Sequence, residues 1–294
     1  MYKYKKGWVV KNGNSFFNYA IGNEKLELYQ SGKSLTVYET ENVTDYIEFC
    51  KKDNANRIVL VDIGQEEFNL IIEELSEKIE YLSIWYSPLK EKIDHCFLEK
   101  CKNLKRIEIK CYKGSFRLWE LKENPILEYL EITGIDKLVN QELLKGASVS
   151  ELVIRNRDYS LGDTKVPIIN DFSVFETMAN LKILDLFVGK KKEKKDDLIS
   201  LAHLSNVEKI TLPKNYFTFS QYAWLNSKLT NVKGIGCIKE ERWNKLIEKN
   251  EYTINGTRMA WEFKDYWGNG IDKYVNKFNN LVKLYKNEDI PPEK

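Results

Sequence analysis

His95 and His203 are the only imidazoles in the chain, which leaves little room for histidine chemistry. A Ser-His-Asp or Cys-His device needs its imidazole at a strand end, inside a cleft. His203 falls in a segment of helical spacing and His95 sits beside Cys96 in another, so neither is expected to catalyse. His95, Cys96, Cys101 and Cys111 have the residue types of a zinc site. Their spacing is not C-x-x-C, and on a helix Cys96 and Cys101 point in different directions, so no metal is expected. No GxGxxG opens a helix and no GxxxxGK[ST] occurs, so no nucleotide or other cofactor is expected. Two carboxylates remain. Glu108 and Glu131 fall at equivalent positions of neighbouring strand-like segments. Carboxylates that close can share a proton, or divide acid and base roles in glycoside hydrolysis. Arg106 and Lys110 flank Glu108 and offer a simpler outcome, a lattice of paired charges on a sheet.

The elements that would position these groups come from one recurring phrase: aliphatic, two others, aliphatic, one other, aliphatic. Its triplets are Ile58/Val61/Ile63, Ile79/Leu82/Ile84, Leu104/Ile107/Ile109, Leu127/Leu130/Ile132, Val149/Leu152/Ile154, Leu181/Leu184/Leu186, Val207/Ile210/Leu212 and a degraded Leu229/Val232. First members are 21 to 32 residues apart. The last two members of a triplet lie two apart, so on a strand they share one face, and stacked copies form a parallel sheet over an aliphatic spine. The returns between strands carry helical spacing, as in Phe68, Ile71, Ile72 and Leu75, in Phe97 and Cys101, and in Leu198, Leu201 and Ala202.

The phrase resembles the leucine-rich repeat superfamily, L-x-x-L-x-L-x-x-N/C-x-L, over roughly residues 58–238. The first three positions fit. The Asn/Cys position holds Glu66, Ser87, Tyr112, Ile135, Arg157 and Gly189, and conforms only at Asn215 and Cys237. The turns must therefore satisfy their backbone groups otherwise. The resemblance implies an α/β fold: an irregular right-handed solenoid, its parallel sheet on the concave face, with structured caps. The expected divisions are an N-terminal cap at 1–57, repeats at 58–238 and a C-terminal cap at 239–294.

In the first cap, Trp8–Val10, a turn at Asn12–Gly13 and Phe16–Phe17 predict one hairpin. Leu26–Tyr29 and Leu35–Tyr38 predict a second. Thr44–Lys52 predicts a helix with Tyr46, Ile47 and Cys50 inward. The long spacing after Val149 predicts a loop over 155–172 at the carboxyl end of a strand. In the last cap, Glu240–Lys249 predicts a helix with Trp243, Leu246 and Ile247 as its stripe. Tyr252–Ile254 and Arg258–Trp261 predict a hairpin, and Ile271–Tyr285 a second helix.

The totals narrow the partner. Hydrophobic residues make up 43% and charged residues 31% of 294, with a net charge of +2. No bulk field attracts nucleic acid or an anionic membrane. The run Lys190–Lys195 contains no aromatic residue for base stacking and leads into Asp196-Asp197, so it is expected to be a solvated loop. The amino-terminal residues lack an apolar segment and the five cysteines are odd in number, so a reduced, cytoplasmic, monomeric protein is expected.

The outward strand positions then carry the functional expectation. For the first rung these are taken as Leu60, Asp62 and Gly64. Farther along they include Tyr81, Trp85, Arg106, Glu108, Tyr129, Glu131, Arg155, Asp185 and Phe187, which are taken as the partner-binding set. Tyr, Trp and Arg are the types enriched at interface hot spots. The expected function is a non-enzymatic protein-binding scaffold. The family analogy extends to bacterial immunity proteins that occlude a toxin domain. The alternative is a carbohydrate-binding or hydrolytic protein using Glu108, Glu131 and Asp185.

Overall fold

The computed structural model describes residues 2–3, 8–9, 12–13, 33–37, 43–86, 93–111, 114–155, 169, 171–187, 195–213, 216–244, 249–256, 262–263 and 270–293. In chain order the strands are β1 (Tyr2–Lys3), β2 (Trp8–Val9), β3 (Asn12–Gly13), β4 (Lys33–Val37), β5 (Arg57–Val61), β6 (Tyr81–Trp85), β7 (Arg106–Lys110) and β8 (Ser115–Arg117). Then follow β9 (Tyr129–Thr133), β10 (Lys137–Val139), β11 (Glu151–Arg155), β12 (Ile183–Phe187), β13 (Lys209–Thr211), β14 (Ile238–Asn244), β15 (Lys249–Ile254) and β16 (Glu262–Phe263). The α-helices are α1 (Val43–Asp53), α2 (Gln65–Leu75), α3 (Ser173–Glu176), α4 (Lys195–Ala202), α5 (Phe219–Lys228) and α6 (Gly270–Tyr285). Short 3₁₀ turns at Cys96–Lys100, Leu121–Glu123 and Gln141–Leu144 serve as returns.

The molecule is a mixed α/β fold built on one nine-stranded sheet, ordered β3-β4-β5-β6-β7-β9-β11-β12-β13. From β4 to β13 every neighbouring pair is parallel; β3 is antiparallel to β4. Each return delivers the chain to the next place in the same sheet. The aliphatic triplets explain the register. Ile58, Leu82, Ile107, Leu130, Leu152, Leu184 and Ile210 form one cross-strand column. Leu60, Ile84, Ile109, Ile132, Ile154 and Leu186 form the next. None of these side chains is more than 2% exposed. The returns close the other side of this core with Phe68, Ile71, Ile72 and Leu75 of α2, with Leu98 and Cys101, and with Leu198 and Leu201 of α4.

A second device repeats at the amino end of the strands. Two successive N–H groups donate to a single carbonyl of the previous rung: Glu80 and Tyr81 to Asn56, Lys105 and Arg106 to Glu80, Glu128 and Tyr129 to Lys105. The pattern continues with Ser150 and Glu151 to Glu128, Lys182 and Ile183 to Ser150, and Glu208 and Lys209 to Lys182. The return turns are satisfied from the residue just before the first aliphatic anchor. Asn103 donates to the Glu77 carbonyl (2.7 Å), Asn180 to Ser148 (3.4 Å) and Asn206 to Ala179 (3.3 Å). Fully buried Asn124 does more. Its amide donates to the carbonyls of Leu98 and Cys101, both at 2.8 Å, while its oxygen accepts the Trp119 indole N–H at 2.7 Å. These amides meet the backbone need that the sparse Asn/Cys position left open.

Several expectations are corrected. The first triplet is shifted by three residues: β5 pairs so that Ala55, Ile58 and Leu60 are the anchors, and Leu60 is fully buried. The outward residues of that rung are therefore Arg57, Val59 and Val61, not Leu60, Asp62 and Gly64. Asn12–Gly13 is not a turn but strand β3, paired with β4. Strand β4 joins the parallel sheet beside β5, and the other arm of the hairpin predicted for it lies outside the described residues. The predicted helix over Glu240–Lys249 is instead strand in its described residues, because β14 pairs antiparallel with β15. Strand β15 in turn pairs with β16 at Glu262–Phe263. The segment after β13 reaches the sheet through a single bridge, Lys209 to Lys233, and Ile235 beyond it is fully buried. Gly234 has φ +91°, and a Cβ there would meet the Ile210 carbonyl oxygen at 2.1 Å. Helices α1 and α6 form where expected, with Tyr46, Ile47 and Cys50 buried. Leu26–Tyr29, Phe16–Phe17, Lys190–Lys194 and most of the 155–172 loop lie outside the described residues. Among the described residues, no helix is long and apolar enough to cross a membrane.

Leu130→Ala and Leu184→Ala should each lower stability by about 2–5 kcal/mol, lost transfer energy plus a cavity. Leu60→Ala should fall in the same range, whereas the uncorrected register predicts a surface effect below about 0.5 kcal/mol. Chemical denaturation separates the two. Asn124→Ala should cost roughly 3 kcal/mol, because it strands two buried carbonyls and an indole N–H at once. Asn103→Ala, at an exposed turn, should cost less than about 1 kcal/mol in the same measurement.

Candidate functional site

The register that builds the core also sorts the opposite face of the sheet into three columns. The first reads Arg57, Tyr81, Arg106, Tyr129, Glu151, Ile183 and Lys209. The second reads Val59, Ser83, Glu108, Glu131, Val153, Asp185 and Thr211. The third reads Val61, Trp85, Lys110, Thr133, Arg155 and Phe187. Rungs are about 4.8 Å apart, so residues in one column touch their neighbours.

Along the first column cations and rings alternate. The Arg57 guanidinium lies 4.1 Å from the Tyr81 ring centroid, and that of Arg106 lies 3.5 Å from Tyr129. In the third column the Lys110 ammonium lies 4.6 Å from Trp85. All three contacts exploit the negative face of an aromatic ring. Polar ends are tied within the same strands. Arg106 donates two N–H bonds to one Glu108 oxygen, at 2.9 and 3.0 Å. The Trp85 indole N–H donates to Ser83 Oγ at 2.7 Å, and the Tyr129 hydroxyl donates to Glu131. Arg155 reaches diagonally to the next strand and grips both oxygens of Asp185. Glu108 and Glu131 are opposite each other in register, yet each has its own donor two residues earlier on its strand. The arrangement is the charge lattice, with neither carboxylate bonded to the other.

Burial separates the predicted set into two groups. Tyr81, Trp85, Arg106, Glu108, Tyr129 and Glu131 are half-buried and contiguous on β6, β7 and β9. Arg155 and Phe187 are half-buried farther along, while the Asp185 side chain is only 11% exposed and turned to Arg155. Asp185 is thus a support rather than a contact surface. Val59, Val61 and Val153 are also buried on this face, apart from the aliphatic spine. Sequence reasoning missed Arg57, since the shifted first rung removed it from the face. Alternation could not have recovered it, because Ile58, Val59, Leu60 and Val61 are all apolar.

The histidines and thiols lie elsewhere. His95 is buried among Phe68, Phe116 and Trp119, with its Nε2 2.9 Å from the Tyr86 hydroxyl. His203 is exposed beside Glu176 at 3.2 Å. None of the five cysteines is in a disulfide. Burial pushes the Cys101 thiol up to about 12, and a hydrogen bond with Asp94 helps push Cys96 up to about 11. Among the described residues no three His, Cys, Asp or Glu side chains gather as metal ligands would.

Comparison with protein-family models, with characterised proteins and with solved structures found no match. The site therefore has to be interpreted from its own chemistry.

Desolvation, together with the hydrogen bond to Glu131, raises the Tyr129 phenol well above the ordinary tyrosine range. Its folded value exceeds its unfolded value of about 10. The contribution to stability is thus complete below that pH and is lost as pH rises through the folded value. Ultraviolet difference titration should show one fewer late-ionising tyrosine in Tyr129→Phe. Glu131→Gln should move that phenol to lower pH; an unchanged titration would contradict the bond.

Proposed function

We propose that this chain is a non-enzymatic scaffold that binds another protein on the open face of its sheet. In this reading the stacked rungs form a leucine-rich-repeat-like right-handed solenoid, the sheet is its concave face, and the segments 1–57 and 239–294 act as caps. The protein works as a monomer in the cytoplasm. The family resemblance extends this proposal to a bacterial immunity protein that occludes a toxin domain.

One observation carries the proposal. Tyr81, Trp85, Arg106 and Tyr129 occupy three consecutive strands and are half-exposed. Their geometry is held by ring-to-cation contacts and in-strand hydrogen bonds. Binding usually loses free energy to the ordering of side chains at the interface. Here much of that ordering is already done in the unbound protein. Rigid aromatic area with planar charge is the composition of a binding hot spot.

The test is affinity capture from the native host, followed by calorimetry of the purified partner against single variants that retain their circular dichroism. Trp85→Ala, Arg106→Ala and Tyr129→Ala should each weaken binding by about 2 kcal/mol or more, roughly thirtyfold. Normal binding by all three, with loss on changing the 155–172 loop or the segment 239–294, would place the interface off the sheet.

A further inference from the structure

The charges on the open face are unevenly divided. Strands β5, β6 and β7 present three cations, Arg57, Arg106 and Lys110, against one carboxylate, Glu108. Strands β9, β11 and β12 present three carboxylates, Glu131, Glu151 and Asp185, against one cation, Arg155. The internal pairs Arg106–Glu108 and Arg155–Asp185 cancel one charge of each sign in each half. What is left is Arg57 and Lys110 on one side, and Glu131 and Glu151 on the other, with Lys209 beyond them at the β13 edge. The boundary falls between β7 and β9, beneath the stacked Arg106 and Tyr129.

The unspent hydrogen-bonding capacity follows the same division. Arg57 and Lys110 lie over the rings of Tyr81 and Trp85, and neither has a carboxylate within salt-bridge distance among the described residues. The Tyr81 hydroxyl makes no hydrogen bond among the described residues either. The Tyr81 ring holds the Arg57 guanidinium in place, and its N–H groups suit a carboxylate acceptor. On the described open-face positions of β5–β7 the leftover strong acceptor is the second oxygen of Glu108, while Glu80, just before β6, feels the Arg57 charge and is bonded to Lys105. A partner covering this half must bring carboxylates, because desolvating the cations without acceptors would be costly.

We infer that the face is polarised and fixes the partner's orientation: an acidic protein segment lies across β5, β6 and β7, with a basic one over β9 and β11. This rests on the proposed role of the face as a protein-docking surface. Such a charge step steers approach and rejects the reversed pose, in which like charges would meet. The near-neutral total of +2 conceals it, since the two halves cancel.

The test uses the full chain and two labelled probes, a random glutamate–tyrosine copolymer and a lysine–tyrosine copolymer, read by fluorescence anisotropy at low and moderate salt. The glutamate copolymer should bind, weaken with salt, and lose about tenfold or more in affinity in Arg57→Gln/Lys110→Gln. It should be unaffected by Lys122→Gln/Lys145→Gln, a matched loss of exposed charge on the returns. The lysine copolymer should respond to Glu131→Gln/Glu151→Gln and not to the Arg57/Lys110 pair. Failure of the glutamate copolymer to bind, or binding indifferent to Arg57→Gln/Lys110→Gln, overturns the polarity. If that binding is still lost in Trp85→Ala and Tyr129→Ala, the docking face survives and only its orientation falls. Indifference to those two variants as well removes the docking face itself. A single-stranded oligonucleotide bound as tightly through Arg57 and Lys110 would overturn the assignment to a protein partner.

Discussion

Everything in this molecule depends on the hydrogen bonding between successive parallel rungs. A strand's backbone groups must find partners, and here each finds them on the rung before and the rung after. The doubled donation to one carbonyl at each strand start, from Asn56 to Lys182, sets the axial position of the next strand. Once that position is set, the alternation of side chains leaves no freedom. A slip of one residue would turn Leu130 and Ile132 outward and bury Glu131. Register is therefore the common cause of the aliphatic spine and of the three columns opposite it.

That dependence explains what could be read from the amino-acid sequence. From β6 to β12 apolar and polar residues alternate strongly enough to place Tyr81, Trp85, Arg106, Glu108, Tyr129 and Glu131 in their columns. At β5 the alternation vanishes, because Val59 and Val61 are buried on the open face while Ile58 and Leu60 are buried in the core. With both faces apolar, periodicity cannot choose a register, and the aliphatic phrase alone fits equally well three residues later. Trp243 belongs by spacing to a predicted helix, yet the pairing of β14 with β15 places it in a strand. The amides at Asn103, Asn124, Asn180 and Asn206 went unnoticed as a set because they precede the anchors, whereas the family pattern directs attention eight residues beyond them.

The candidate site was legible as positions and illegible as chemistry. Composition alone suggested aromatic residues and arginines awaiting a partner. In the folded protein they are already each other's partners: guanidinium on phenol, ammonium on indole, hydroxyl on carboxylate. Such pairings are set by side-chain directions across strands, which no single-strand pattern encodes. They change the character of the face from a loose collection of sticky residues to a stiff relief, whose shape exists before anything touches it.

Gly234 carries a consequence for crowding in solution. A stack of parallel strands is an open template, and its last member would ordinarily invite a foreign chain to continue it. Strand β13 is three residues long, and the next segment meets it through one bridge between two lysines. There the backbone enters the left-handed region, and a Cβ on the glycine would run into the Ile210 carbonyl. A residue with a side chain could not occupy this place without breaking the bridge. The growth of the sheet is thus halted by chirality, and like charge beside it discourages another molecule from taking up the pattern.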